Sequence, residues 1–485
     1  MNWKAILKIQ GIILVILSIS MCLPLFFSIY YASGDTLDLL LSIGITLIVG
    51  LVLALSFRSD KPLRTREGFV IVSLGWISAA IFGALPFFFN GMFDGNFIDC
   101  VFETMSGFTT TGATVLTNIE IVPKGLLFWR SLTHWLGGMG IILLAIIILP
   151  VLGLSSTQLF RAEVPGPTKD KISPKVKNTA MILWLIYIGL TVMETGLLMF
   201  GGMDLFTALC HTFGTLATGG FSTLNASIAG FNSVYIEMVI LVFMFLAGTN
   251  FALHFFVIQG RLGKVFRNRE WRFYVSILAI AILLVTFSIF KSNVGYNFWT
   301  SLRYASFQVM SITTTTGFVT ANFEIWPTFS KILLVLLMFA GGCAGSTGGG
   351  MKQIRIMIGG KFVAKEIRKL TYPNAIFSLK IGKENVKEYV MKNVIAFIIL
   401  FIGLFVIINL FLTFRGYDIV TSFAASIATL SNIGPGLARV GAIENYAFFD
   451  NISKVVLTFS MLLGRLELYS VIIMVYYFFN PRKIH

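Results

Sequence analysis

Four stretches of this chain end alike: TMSGFTTTG (104–112), HTFGTLATG (211–219), VMSITTTTG (309–317) and SIATLSNIG (426–434). Aligned on the last residue, they put Gly112, Gly219, Gly317 and Gly434 in register. The residues before them are Thr110 and Thr111, Thr218, Thr315 and Thr316, and Asn432 with Ile433, and Gly220 follows the second glycine. A bare cation gives up its water only where oxygens replace it, and a ring of backbone carbonyls does this without adding fixed charge. Glycine admits positive φ and close approach, so carbonyls at that position are free to turn inward. The set predicts a small-cation site, with Ile433 contributing only its backbone.

The elements that must hold such a site follow from composition and spacing. The chain has 485 residues, 56% of them hydrophobic and only 12% charged, about half the charged share of an ordinary soluble domain. Apolar runs long enough to cross a bilayer are read at 9–30, 39–57, 68–90, 131–160, 180–203, 234–260, 273–290, 332–358, 393–414 and 455–480. They are continuous rather than alternating, as spanning helices and not barrel strands must be. Between them lie four apolar segments too short to cross, 97–110, 204–217, 301–315 and 418–432, each leading into one of the glycines. Asp204 and Asp418 sit where N-caps are expected, and Asp99 is placed in the same role.

The glycines recur at separations of 107, 98 and 117 residues, the signature of an internal repeat. The fold class is therefore an all-α polytopic membrane protein. It has four tandem repeats of helix, pore half-helix, filter loop and helix around one pore, plus two extra N-terminal helices. The divisions are 1–60 for the leading helices, 68–160, 178–260 and 271–358 for repeats one to three, 359–392 for a cytoplasmic linker and 393–480 for repeat four. Irregular backbone at membrane depth is tolerated only where protein buries it or it lines a watery cavity, so four such loops imply a shared one.

A net charge of +15 would suit nucleic acid, but most Lys and Arg fall at the termini and in alternate loops. This is topology by the positive-inside rule, with both termini cytoplasmic and no nucleic-acid partner. The same charge suits anionic lipid or a cytoplasmic partner. Cys22, Cys100, Cys210 and Cys343 form no CxxC pair, and His134, His211 and His254 read as hydrogen-bonded core residues rather than ligands. Neither HExxH nor GxSxG occurs within a span, so an intramembrane enzyme has little support.

Two features fall inside expected spans at a cost. The stretch Gly341 to Gly350 carries glycines that each cost about 1 kcal/mol in a helix, so a break is expected in span 332–358. It lacks the GxxxxGK(S/T) of a nucleotide-binding loop. Gly345, Ser346, Thr347, Gly348, Gly349 and Gly350 are read as a flexible constriction beneath the filter. Arg465 lies near the middle of span 455–480, where a charge must be paired or hydrated. It is placed under the filter and against this break, with Glu467, Glu194 and Glu237 as candidate ion-pair partners.

With its two leading helices, four repeats, single-glycine loops and glycine-rich break in repeat three, the chain resembles the TrkH/KtrB/HKT superfamily of potassium transport proteins, and its bacterial TrkH-type branch most closely. The resemblance implies potassium uptake across the bacterial inner membrane through a gated, channel-like pore, with potassium as substrate and no cofactor bound by this chain. It also implies a homodimer, one pore per protomer, and a separate TrkA-type nucleotide-binding subunit on the cytoplasmic face. In such proteins the filter lies at Gly112, Gly219, Gly317 and Gly434 with the residues before them, the break is an intramembrane gating loop, and an arginine of the last span lies below. A transporter coupled to the proton motive force is the alternative; folds with two inverted halves fit four like-oriented repeats less well.

Overall fold

The computed structural model describes residues 1–57, 63, 65–140, 176–292, 294–375, 377–381 and 384–479. Six of the described helices are long and apolar enough to cross a membrane: Trp3–Tyr31, Thr36–Ser56, Glu67–Phe89, Ala180–Phe200, Arg269–Phe290 and Glu388–Phe414. The first two pack at backbone contact, since a Cβ on Gly11 would lie 2.6 Å from the Gly50 carbonyl oxygen. The other four open the four repeats.

Each opening helix leads into a half-helix: Phe97–Phe108, Leu205–Leu216, Phe298–Thr313 and Ile419–Ser431. Asp204 and Asp418 cap their half-helices through the Thr207 and Thr421 amides at 3.4 and 2.9 Å. Asp99 does not. Asn96 caps the first half-helix through the Ile98 amide at 3.1 Å, while Asp99, inside the first turn, meets the Lys454 ammonium at 2.7 Å.

The second helix of each repeat is short. Lys124–Gly138, Val234–Ala247, Thr328–Ala340 and Asn451–Arg465 have 15, 14, 13 and 15 residues, or about 20 to 23 Å at the α-helical rise, less than a hydrocarbon core of about 30 Å. Spans 234–260 and 455–480, read as continuous, are therefore corrected. The first bends by 102° into Phe251–Ile258 and the second by 114° into a helix beginning at Tyr469. The physical reasons are local. Asn250 caps the new helix through the Ala252 amide at 2.9 Å, and Glu467 and Leu468 adopt φ of 53° and 62°, which no continuing helix accommodates. Of span 131–160, residues 141–160 lie outside the described residues.

In repeat three the helix stops at Ala340 and resumes as Gln353–Thr371. That helix runs across the boundary set at 358 and deep into the linker. A two-stranded hairpin, Lys380–Ile381 against Glu384–Asn385, then leads to the opening helix of repeat four.

On the half-helix side, Asp450 fastens the start of Asn451–Arg465. It accepts from the Ser453 hydroxyl at 2.5 Å, the Tyr417 hydroxyl at 3.0 Å and the Arg415 guanidinium at 2.8 Å. Burial pushes its carboxyl up, but these bonds together outweigh burial and hold it well below the usual carboxylate range.

Candidate functional site

The four half-helices bring their C-terminal ends together, and the loops after them share one backbone pattern. A residue just past the half-helix has a left-handed conformation in every repeat, the second one in the first three and the first one in the fourth: Thr110, Thr218, Thr315 and Asn432 have φ of 54°, 56°, 63° and 56°. The amide of the next residue, Thr111, Gly219, Thr316 or Ile433, donates to a carbonyl five residues back at 2.8 Å in all four cases. Gly112, Gly220 and Gly317 then have φ of 80°, 80° and 84°.

This pattern corrects the register of the second repeat by one residue. Gly219 is the counterpart of Thr111, Thr316 and Ile433, and Gly220 is the counterpart of Gly112, Gly317 and Gly434. Gly220, Gly317, Gly434 and Gly112 follow one another in contact, and the ring closes through the Gly219 carbonyl, which a Cβ on Gly112 would strike. A Cβ on Gly220 would sit 3.2 Å from the Gly317 carbonyl carbon, one on Gly317 would sit 3.2 Å from the Gly434 nitrogen, and one on Gly434 would sit 2.6 Å from the Gly112 oxygen. The fourth loop departs from the others: Gly434 lacks the positive φ, Pro435 follows it, and Asn432 reaches across to the Thr111 hydroxyl at 3.0 Å and the Met461 carbonyl at 2.8 Å.

The carbonyls of Thr110 to Gly112, Thr218, Gly220, Thr315 to Gly317 and Asn432 to Ile433 accept no protein hydrogen bond among the described residues. Gly434 accepts one, from the Tyr446 hydroxyl at 3.0 Å, and the Gly219 carbonyl faces the His134 ring. Buried carbonyls are almost always paired, so a cluster left open around one axis is built for another electropositive partner. Threonine hydroxyls contribute less than their number suggests. Those of Thr111 and Thr316 turn back to Thr109 and Thr314 at 2.8 Å, and that of Thr218 donates to the Ala217 carbonyl at 2.5 Å.

Behind the loops a buried scaffold fixes their positions. Glu103 and Arg130 pair at 2.6 Å with almost no exposure. Glu103 also accepts from the Thr114 hydroxyl and the Val115 amide, both at 2.9 Å, and Arg130 donates to the Ser222 carbonyl at 3.1 Å and stacks on Phe221. His134 fills the space behind Gly219, holding the Gly107 carbonyl at 2.7 Å and lying on the Phe221 ring. Sequence reasoning missed the Glu103–Arg130 pair because its members stand 27 residues apart on different helices. Removing one partner of such a buried pair costs about 3–5 kcal/mol. Arg130→Met should lower the thermal unfolding midpoint in detergent markedly, and an unchanged midpoint would rule out this scaffold role.

On one side the four ring glycines line a single cavity of about 220 Å³. On the other lies the break in repeat three. Residues 341–352 form no helix; Gly341, Gly345 and Gly350 have φ of 70°, 74° and 70°. The loop is held from repeats two, three and four. The Thr347 hydroxyl donates to the Leu216 carbonyl at 2.9 Å, the Gly349 amide to the Thr315 hydroxyl at 2.7 Å, and the Gly350 amide to the Ser431 carbonyl at 3.0 Å. Cys343 donates its amide to Gly248 and Gly345 accepts from Phe251, both at 2.9 Å, so the bend of repeat two receives the loop. Glu270 accepts from the Ala344 amide at 2.6 Å and the Lys352 ammonium donates to the Gly348 carbonyl. Neither was singled out in the sequence, although an acid in the first turn of a helix and a lysine flanking a glycine run were both visible.

Arg465 is not in mid-helix. It is the last residue of Asn451–Arg465, and its guanidinium donates to the Thr347 carbonyl at 2.7 Å and to the Gly137 and Gly138 carbonyls at 2.6 and 3.1 Å. A cation is favoured at such a helix C-terminus. Of its candidate acids, Glu467 pairs with Arg355 and Glu237 with Arg303 at 3.4 Å. A cavity of about 110 Å³ lies below, lined by Gly345 to Gly350, Lys352, Gly464 and Arg465 among others.

Spanning helices, four re-entrant half-helices and a ring of open carbonyls above a closed loop define the class as a membrane transport protein for cations. The comparisons with known proteins agree. Residues 39–480 match the family model TrkH, described as a cation transport protein, and the chain belongs to this TrkH family. It is 39% identical over 477 residues to the Trk system potassium uptake protein TrkH of Salmonella typhimurium, covering 98% of each chain. It is 40% identical to the protein of that name from Halomonas elongata, again over 98% of each. The crystal structure of the potassium transporter TrkH from Vibrio parahaemolyticus superposes with a TM-score of 0.88 at 35% identity, covering 98% of this chain and 99% of that one.

Proposed function

We propose that this chain takes up potassium through a gated, channel-like pore. Gly112, Gly220, Gly317 and Gly434, with the carbonyls of the residues before them, form the filter; residues 345–350 and Arg465 form the gate, closed in this conformation. The observation that carries the reading is the ring of carbonyls contributed by all four repeats, with at least two in each loop left without a hydrogen-bond donor. Each half-helix also aims its partially negative end at the same point, which favours a cation and disfavours an anion. The potassium uptake named for the relatives supports the choice of ion.

The side carrying the half-helix N-termini then faces outward, both termini are cytoplasmic, and the membrane is the bacterial inner one. A homodimer with a TrkA-type nucleotide-binding ring on the basic cytoplasmic face completes the assembly. Single-channel recording of the purified chain in planar bilayers, with potassium as charge carrier, tests the permeation mode. Unitary currents faster than a carrier cycle are expected; flux that never resolves into unitary steps and follows an imposed proton gradient would overturn channel-like permeation.

A further inference from the structure

One buried acid takes no part in the pore just described. Glu194 lies within the opening helix of repeat two, Val176–Phe200, and is fully buried. Neither of its carboxyl oxygens has a partner in hydrogen-bonding geometry, although the carboxyl faces the Thr215 hydroxyl in the last turn of the second half-helix.

The hydroxyl protons of Thr215, which it faces, and of Thr191 and Thr195 on its own helix are already committed. Thr215 donates to the His211 carbonyl at 2.8 Å, Thr195 to the Thr212 hydroxyl at 3.2 Å, and Thr191 to the Tyr187 carbonyl at 2.8 Å. The Tyr187 hydroxyl donates to the Trp135 carbonyl at 3.2 Å, and the Trp135 indole N–H is taken by Thr191 at 3.1 Å. What Thr215 still offers is an acceptor lone pair. A carboxylate facing it would find no donor, and an ionised carboxyl buried without one takes up a proton instead. A protonated carboxyl supplies the missing donor.

We propose that Glu194 is kept as a neutral carboxylic acid and acts as a positioning residue for the second filter loop, donating its proton to Thr215. Thr215 is coupled directly to the filter, because its carbonyl accepts the Thr218 amide at 2.9 Å and Gly219 and Gly220 follow. The carboxyl thus steadies one quarter of the ring from behind without placing a negative charge beside it. This deepens the filter reading above and rests on it for the effect on selectivity, whereas the protonation state does not.

Two measurements separate the two. In infrared difference spectra of the purified full chain at neutral pH, wild type minus Glu194→Gln should show the carbonyl stretch of a protonated carboxylic acid; a carboxylate band in its place would overturn the proposal whatever the pore does. In liposome flux assays, Glu194→Gln, which keeps both shape and a donor, should retain the potassium-over-sodium preference. Glu194→Ala should lose about fivefold of it, the worth of one neutral hydrogen bond. A folded alanine variant with unchanged preference would overturn the positioning role. If that variant does not fold, the comparison with Glu194→Asp, whose shorter side chain withdraws the donor, serves the same purpose: wild-type preference there overturns the role.

Discussion

Arg465→Ala should raise the resting flux of a potassium analogue such as rubidium in liposomes, about 10- to 100-fold. On the proposed reading the arginine holds the loop shut through its bond to the Thr347 carbonyl at 2.7 Å. Hydrogen bonds to a charged donor contribute about 1.5–3 kcal/mol each, which sets the shift in the closed-to-open ratio. The same guanidinium anchors itself on the end of Lys124–Gly138, so the loop is tied to a fixed part of repeat one. Removing it also withdraws a positive charge from the cation's path. Arg465→Lys should fall between wild type and alanine, because an ammonium keeps the charge but not the fork that reaches the loop and a helix end at once. Unchanged flux and unchanged regulation in the alanine variant would remove Arg465 from the gate.

The second large effect separates two adjacent glycines. Gly220→Ala should abolish selective flux, because its φ of +80° costs an L-residue about 1–2 kcal/mol and its methyl group would run into the Thr316 carbonyl oxygen of the neighbouring loop. Gly219→Ala should also impair flux, for a different reason. Its methyl group runs first into the His134 ring, so Gly219→Ala combined with His134→Ala should recover a substantial part of it. If His134→Ala instead rescued Gly220→Ala and not Gly219→Ala, the ring would be in the register read from the sequence.

That register error shows where the sequence stopped being legible. The half-helices were readable because each is too short to span and ends at glycine, and a repeat of about a hundred residues is hard to produce by chance. In the second loop, though, Thr218 is followed by two glycines, and composition does not choose between them. The choice is made by where the half-helix ends, at Leu216, and by the left-handed turn at Thr218. The bend in span 234–260 was hidden for a similar reason. Val234–Ala247 and Phe251–Ile258 are both strongly apolar, so hydropathy runs on across Gly248, Thr249 and Asn250. Asn250, a strong N-cap residue, was the signal available. The break in repeat three was legible because its glycines are too dense for any helix, while the buried acids and bases that hold it were not, since their partners are remote in sequence.

The bonds that hold the gating loop have an electrostatic consequence. In the closed state the Thr347 hydroxyl and the Gly350 amide cover the Leu216 and Ser431 carbonyls, which are the terminal dipoles of two half-helices. On the proposed reading, closure is therefore more than a steric plug: it discharges part of the negative potential that draws an ion through the ring, while Arg465 adds the opposite sign. When the loop withdraws, those carbonyls are bared to the cavity at the moment the path widens. Opening then strengthens the attraction for the ion and removes the obstacle in one movement, and the steepness of gating reflects both.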